Sequence, residues 1–143
     1  MSLPTVRILL AEDDKNDILF LHKAFQKAGL PKPFRVLSDG QDVITYLSGA
    51  GGHPLPTHLL LDLKLPRRSG FDVLEWIRQD SRLSALPVIV LTSSSQAEDR
   101  IRAEEFGVHG YFVKPVAQGE LVETVKTIAA LWSLPRVHES GKA

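Results

Sequence analysis

Five short, largely apolar runs alternate with segments of helical periodicity along this chain, and each run ends at polar or charged residues. The runs occupy residues 6–11, 34–37, 59–61, 87–91 and 111–113. Continuous apolar runs of this length are typical of strands buried on both faces, as in parallel sheets. Because strands and helices alternate, the sequence predicts an α/β fold with a doubly wound, five-stranded parallel sheet.

The segments between the runs carry signals for the starts of helices. Asp14, Asp39 and Ser69 are candidate N-caps in front of apolar stripes, and Ser95 with Glu98 matches the capping-box pattern. The last helical segment carries four apolar residues on one face: Leu121, Val125, Ile128 and Trp132. We therefore expect five helices packed against the sheet.

The length of 143 residues fits one domain with a substantial core. We expect a single domain over residues 1–143, with its core over about 5–133 and a flexible tail over 134–143. Nothing after Trp132 is long enough to form a DNA-binding fold, so output is expected to pass through protein contacts. Trp132 and Leu134 fit a core position and a homodimer interface equally well, and the sequence leaves the two open.

Composition narrows the class of protein. Seventeen basic residues balance seventeen acidic residues, which disfavours binding to nucleic acid through its phosphate backbone. The chain has no cysteine, which excludes disulfides, thiolate metal sites and thiol catalysis. Neither a signal peptide nor a membrane span is predicted. We expect a cytoplasmic protein with no nucleic-acid or membrane partner.

Chemically active side chains follow the predicted strands. Crossovers between parallel strands are almost always right-handed, so the carboxyl ends of all five strands meet at one edge, where ligands bind in such sheets. That edge is predicted to collect six polar residues: Glu12, Asp13, Asp14, Asp62, Thr92 and Lys114. Residues about fifty positions apart thereby become neighbours.

Carboxylates crowded at this edge repel one another: each pair at about 4 Å costs roughly 4 kcal/mol at an effective dielectric constant near 20. The carboxylates must therefore take up protons, move apart or bind a cation. Oxygen ligands without soft donors favour Mg²⁺. A bound cation would let the pocket accept a phosphoryl group, with Asp62 as a plausible nucleophile. Lys114 and the hydroxyl of Thr92 are placed to contact phosphoryl oxygens.

In these residues the chain resembles a CheY-like receiver domain of the two-component response regulators. The matching positions span nearly the whole chain: Glu12 and Asp13, then Asp62 with Pro66 and Gly70, then Thr92 with Ser93, and finally Tyr111, Lys114 and Pro115. The glycine-rich loop before the third strand and the end of the last helix also resemble stand-alone regulators paired with bacterial phytochrome kinases.

The resemblance implies a flavodoxin-like receiver fold with strand order 2-1-3-4-5. It implies that Asp62 accepts phosphate from a histidine kinase, and the likeness to phytochrome-paired regulators points to a bacteriophytochrome as that kinase. Mg²⁺ would be held by Asp13, Asp62 and the backbone carbonyl of Lys64, with Glu12 acting through water. The Lys114–Pro115 bond would be cis. Thr92 and Tyr111 would act as a switch that remodels the face formed by the fourth helix, fifth strand and fifth helix.

Two other functions use similar residues. An aspartate-nucleophile, Mg²⁺-dependent phosphatase shares the covalent intermediate, but such enzymes place a second Asp two residues after the nucleophile, where this chain has Lys64. A flavodoxin-like FMN binder needs a phosphate loop after the first strand, and the acidic residues there repel phosphate. We therefore expect a regulator that catalyses only its own phosphorylation and dephosphorylation, rather than an enzyme.

Overall fold

Five strands and five helices alternate along residues 6–135, the part of the chain that this computed structural model describes. The strands are β1 Ile8–Ala11, β2 Arg35–Leu37, β3 His58–Leu61, β4 Val88–Thr92 and β5 Gly110–Val113. The helices are α1 Lys15–Lys27, α2 Gly40–Leu47, α3 Gly70–Gln79, α4 Ala97–Glu105 and α5 Gln118–Trp132. The predicted tail lies outside the described residues from position 136 onward.

The five strands form one parallel sheet with the order β2-β1-β3-β4-β5. The predicted fold class and strand order are therefore confirmed. The strand β3 is central and carries Asp62 at its carboxyl end, with β1 on one side and β4 on the other. This order brings the chain segments that follow β1, β3 and β4 together at one edge of the sheet.

Alternate residues of each strand enter two different cores, because successive side chains of a strand point to opposite faces. Leu59 and Leu61 of β3 face a core built with α2, α3 and α4. Leu60, between them, faces a second core built with α1 and α5. Trp132 is buried in this second core, and Leu134 is partly buried and packs against it, so the structure assigns Trp132 to the core of its own domain.

Three of the four predicted helix caps are present. The carboxylate of Asp14 accepts from the backbone N–H of Asp17, Asp39 caps α2, and Ser69 forms a capping box with Asp72. The predicted capping box at Ser95 is wrong: α4 begins one residue later than the pattern requires, and its N-cap, Gln96, makes no side-chain cap hydrogen bond.

Among residues 6–135, no helix is both long enough and apolar enough to cross a membrane.

The central position of β3 generates a prediction about stability. Leu60 is fully buried, and Leu60→Ala should lower the free energy of unfolding by about 2–5 kcal/mol, because it removes buried methyl groups and leaves a cavity. Urea denaturation measures this change. Leu19 on α1 is 50% exposed, so Leu19→Ala is the matched control and should change stability by less than about 0.5 kcal/mol. Equal effects of the two substitutions would contradict the assignment of Leu60 to the core.

Candidate functional site

Four of the predicted site residues lie at the carboxyl ends of strands. Glu12 directly follows β1, Asp62 follows β3 and Lys114 follows β5, while Thr92 is the last residue of β4. Backbone hydrogen bonds between neighbouring strands continue into these positions: the N–H of Asp62 donates to Ala11 at 3.0 Å, and the N–H of Lys114 donates to Thr92 at 2.7 Å. Backbone pairing in the sheet therefore fixes where these residues lie, independently of their side-chain contacts.

The ammonium group of Lys114 joins three carboxylates. Its Nζ lies 2.8 Å from Oε1 of Glu12, 2.9 Å from Oδ2 of Asp62 and 2.7 Å from Oδ2 of Asp17. Glu12 and Asp62 are buried, whereas Asp17 is partly exposed in the first turn of α1. The structure thus brings β1, β3, β5 and α1 together around one positive charge.

Burial and charge shift the pKa values of this cluster in opposite directions. Burial raises the pKa of Glu12 to about 7 and the nearby charge of Asp62 adds to the increase, although the hydrogen bond from Lys114 opposes it. For Lys114, burial lowers the pKa, but hydrogen bonds to Asp17, Glu12 and Asp62 outweigh it and hold the pKa above the usual value for lysine. The lysine therefore stays charged, whereas ionising the Glu12 carboxyl is costly.

Three carboxylates at this edge fit a divalent cation. Glu12, Asp13 and Asp62 each offer an oxygen, and these oxygens all lie within 4.8 Å of one another. The donors are hard oxygens, the type that Mg²⁺ prefers. The predicted metal ligands are therefore brought together with a suitable donor set. The role predicted for the backbone carbonyl of Lys64 stays a prediction.

The loop that follows Asp62 is in contact with its carboxylate. The backbone N–H of Lys64 donates to Oδ1 of Asp62 at 3.1 Å, while Lys114 occupies Oδ2. The start of α3 packs tightly on the same turn: a Cβ atom added to Gly70 would lie 2.5 Å from the carbonyl oxygen of Asp62. A residue without a side chain is therefore required at Gly70.

Thr92 and Tyr111 are linked through Ser94. The N–H of Ser94 lies 3.4 Å from Oγ1 of Thr92, and the hydroxyl of Tyr111 donates to the carbonyl oxygen of Ser94 at 2.9 Å. The hydroxyl of Ser94 in turn donates to Asp99 of α4. Thr92, Ser94 and Tyr111 are all buried. A movement of the loop after β4 would therefore affect Thr92, Tyr111 and α4 together.

Sequence reasoning missed Asp17 and Ser94. Asp17 lies three residues after the N-cap Asp14 and looks like an ordinary acidic residue of a first helical turn. The available signal was its position in the first turn of α1, which follows β1 closely and so keeps Asp17 near the edge of the sheet. Ser94 had no comparable signal, because its role depends on three partners from different segments.

One expectation from the resemblance is wrong. The described residues contain no cis peptide bond, so the Lys114–Pro115 bond is trans. Trans is the form that most X–Pro bonds adopt in folded proteins. Lys114 reaches Glu12, Asp17 and Asp62 with the peptide bond in this form.

Comparison with known proteins gives consistent matches. The family described as "Response regulator receiver domain" matches residues 8–126. The probable methanogenesis regulatory protein FilR2 of Methanothrix harundinacea (strain 6Ac) is 38% identical over 127 residues, covering 87% of this chain and 82% of FilR2. Response regulator Rcp1 of Synechocystis sp. (strain PCC 6803) is 33% identical over 134 residues, covering 92% of this chain and 91% of Rcp1.

Solved structures agree with the sequence matches. The Mn²⁺-bound form of Rcp1 has a TM-score of 0.82 and 32% identity, and the match covers 92% of this chain and 99% of that one. The phosphorylated cyanobacterial phytochrome response regulator RcpA has a TM-score of 0.81 and 30% identity, covering 94% of this chain and 100% of RcpA.

The contacts of Lys114 generate a prediction about the protein without metal. Lys114→Met leaves buried carboxylates without the ammonium group that pairs with them. We expect the free energy of unfolding to fall by about 3 kcal/mol. This value is near the lower end for a broken buried ion pair, because one of the three carboxylates, Asp17, is partly exposed. Urea denaturation in a buffer with a chelator measures it.

Lys126→Met is the matched control. Lys126 lies on the exposed side of α5, where its Nζ is 3.6 Å from Glu123, so its loss should cost less than about 0.5 kcal/mol. If Lys114→Met were as mild as this control, the ammonium group would not be what stabilises the cluster.

Proposed function

Because this chain belongs to the response regulator receiver domain family, whose members take phosphoryl groups from histidine kinases, we propose that Asp62 is its phosphoacceptor and that the reaction requires Mg²⁺. The arrangement around one carboxylate carries the proposal. Asp62 ends the central strand, is 4% exposed, and has one oxygen bound by the N–H of Lys64 and the other by the ammonium of Lys114.

The reaction is a transfer between two side chains. An oxygen of Asp62 attacks the phosphorus atom of a phosphohistidine on the kinase, a P–O bond forms, and the P–N bond breaks with its electron pair passing to the imidazole. The ammonium of Lys114 and the hydroxyl of Thr92 contact the phosphoryl oxygens and offset their charge. Water later attacks the phosphorus atom, the P–O bond to Asp62 breaks, and inorganic phosphate leaves while Asp62 returns to a free carboxylate.

The metal site belongs to the same cluster. In this proposal Asp13 and Asp62 would hold Mg²⁺ directly and Glu12 would hold it through water. The backbone carbonyl of Lys64 would complete the protein ligands, as the family resemblance implies. When bound, the ion offsets the negative charge that develops on the transferred group. The close oxygens of the three carboxylates support the site, and the Mn²⁺-bound form of the related Rcp1 agrees with it.

The partner is a sensor histidine kinase in the cytoplasm. The similarity to a cyanobacterial phytochrome response regulator favours a phytochrome as that kinase. Equal numbers of acidic and basic residues argue against output through nucleic acid, so signalling passes through protein contacts. A homodimer is one form that these contacts can take.

The output surface is the face formed by α4, β5 and α5. Ile101 on α4 and Val113 on β5 are exposed apolar residues of this face. Tyr111, on the same strand as Val113, is buried under the guanidinium of Arg100, whose Cζ lies 4.8 Å from the centre of the ring. In this proposal Thr92 moves toward the phosphoryl group, the Ser94 loop follows, and the packing of Tyr111 against α4 changes.

The phosphoacceptor is tested by incubating the whole chain with Mg²⁺ and acetyl phosphate, followed by intact mass spectrometry. We expect one phosphoryl group on the wild type and none on Asp62→Asn, which keeps the shape of the side chain but is not a nucleophile. Asp80→Asn, at the C-terminal end of α3, is the matched control and should be phosphorylated normally. Phosphate on Asp62→Asn would refute the assignment. Size-exclusion chromatography of both forms tests whether phosphate changes the oligomeric state.

The switch is tested by amide hydrogen exchange over residues 94–113, with and without acetyl phosphate. Phosphorylation should change the exchange in the wild type and in Thr92→Ser, which keeps a hydroxyl. Thr92→Ala should accept phosphate and yet show little change, because it lacks the group that links the phosphate to Ser94 and Tyr111. A full response in Thr92→Ala would exclude this role for Thr92.

A further inference from the structure

The loop from Asp62 to α3 sets the direction of the acceptor carboxylate. Its Lys64 N–H donates to Oδ1 of Asp62 at 3.1 Å, so a displaced loop would release that oxygen. The far end of the loop is held by Gly70, whose N–H donates to the carbonyl of Leu63 at 2.9 Å. Between these two points lie residues 65–69, and this stretch is held by contacts with the start of α2.

Arg67, in the middle of this stretch, has an unfavourable backbone conformation. Its φ is +66°, and among the described residues only Ser133 is another non-glycine residue with positive φ. The left-handed region is sterically costly for a long side chain. Such a conformation persists only where surrounding contacts impose it.

The side chain of Arg67 supplies such contacts with the start of α2. Its Nε donates to Oδ2 of Asp39, and its Nη2 lies 3.1 Å from Oδ1 of Asp42. The other oxygen of Asp39 caps α2 by accepting from the N–H groups of Gln41 and Asp42, at 2.7 and 3.1 Å. Asp39 therefore has one oxygen for the helix and one for the loop.

The backbones of the loop and α2 are also in direct contact. The N–H of Gly40 donates to the carbonyl of Pro66 at 3.2 Å. A Cβ atom added to Gly40 would lie 1.8 Å from the carbonyl oxygen of Arg68, so the loop rests on a helix start that has no side chain there. The loop and the start of α2 are thus in contact through their backbones as well as through the side chain of Arg67.

We propose that Arg67 is a positioning residue for the acceptor: its ion pairs with Asp39 and Asp42 hold the loop against α2 and thereby keep the Lys64 backbone directed at Asp62. This inference rests on the proposed function of Asp62. Arg67 is 59% exposed, so the pairs contribute little to overall stability. Their effect is on the geometry of the loop and on the metal site beside it.

Two variants separate positioning from stability. Asp39→Asn keeps the cap of α2, since Asn caps a helix as well as Asp does, but removes the charge that pairs with Arg67. Arg67→Gly removes the guanidinium but adopts positive φ without steric cost. Arg68→Ala is the matched control: Arg68 is the adjacent residue, its only ion pair among the described residues is with Asp72 at 4.0 Å, and alanine retains its Cβ.

Three quantities are measured on the whole chain. They are the amide exchange rate of Lys64, the Mg²⁺ affinity by calorimetry and the rate of phosphorylation by acetyl phosphate. In Asp39→Asn and Arg67→Gly we expect faster exchange at Lys64, and a loss of about two- to fivefold in Mg²⁺ affinity and phosphorylation rate, the range that an exposed ion pair supplies. Arg68→Ala should match the wild type in all three. The double variant should lose no more than Arg67→Gly alone, because that substitution already removes the pair with Asp39.

The inference is overturned if Lys64 exchanges equally fast in all five proteins, or if the losses follow a fall in the midpoint of urea unfolding. A wild-type protein that takes neither Mg²⁺ nor phosphate would instead overturn the proposed function. The exchange of Lys64 alone would then decide whether Arg67 holds the loop.

Discussion

The site depends on one balance of charge, in which the Lys114 ammonium compensates carboxylates that arrive from separate parts of the chain. Without that cation, Glu12 and Asp62 would be buried at one sheet edge with like charges. Burial of unpaired charge is costly, so the cluster is stable only because a lysine ends β5 where acidic residues end β1 and β3. The same arrangement leaves the carboxylates close enough together to hold a cation.

The parallel sheet makes this balance attainable. Its central strands are apolar on both faces, and two cores sandwich them, so polar residues are confined to the strand ends. The strand order places β1 and β4 on either side of β3. Asp62 thus lies between the acidic residues after β1 and the hydroxyl at the end of β4. The loops beyond the edge then decide how each side chain is aimed.

Sequence reasoning succeeded where one local pattern carries the information. Apolar runs identified the strands, and the polar residues at the strand ends predicted the meeting of Glu12, Asp62 and Lys114 that their contacts show. It failed where several segments share a residue. Ser94 connects Thr92, Tyr111 and Asp99, and none of these contacts is visible in local spacing. The capping-box pattern at Ser95 misplaced the start of α4 for the same reason, since the serine that serves that turn is Ser94, which accepts from the N–H of Gln96.

The sequence by itself determined the fold class, the identity of the acidic, hydroxyl and ammonium groups, and the edge at which they meet, because strand and helix periodicities are local and the crossover rule is general. Only the tertiary structure decided that Asp17 shares Lys114, that Trp132 fills the core, and that Arg67 contacts the start of α2. These facts depend on distances between segments that are remote in sequence. Tertiary packing sets those distances, so they cannot be read from the local sequence pattern of any one segment.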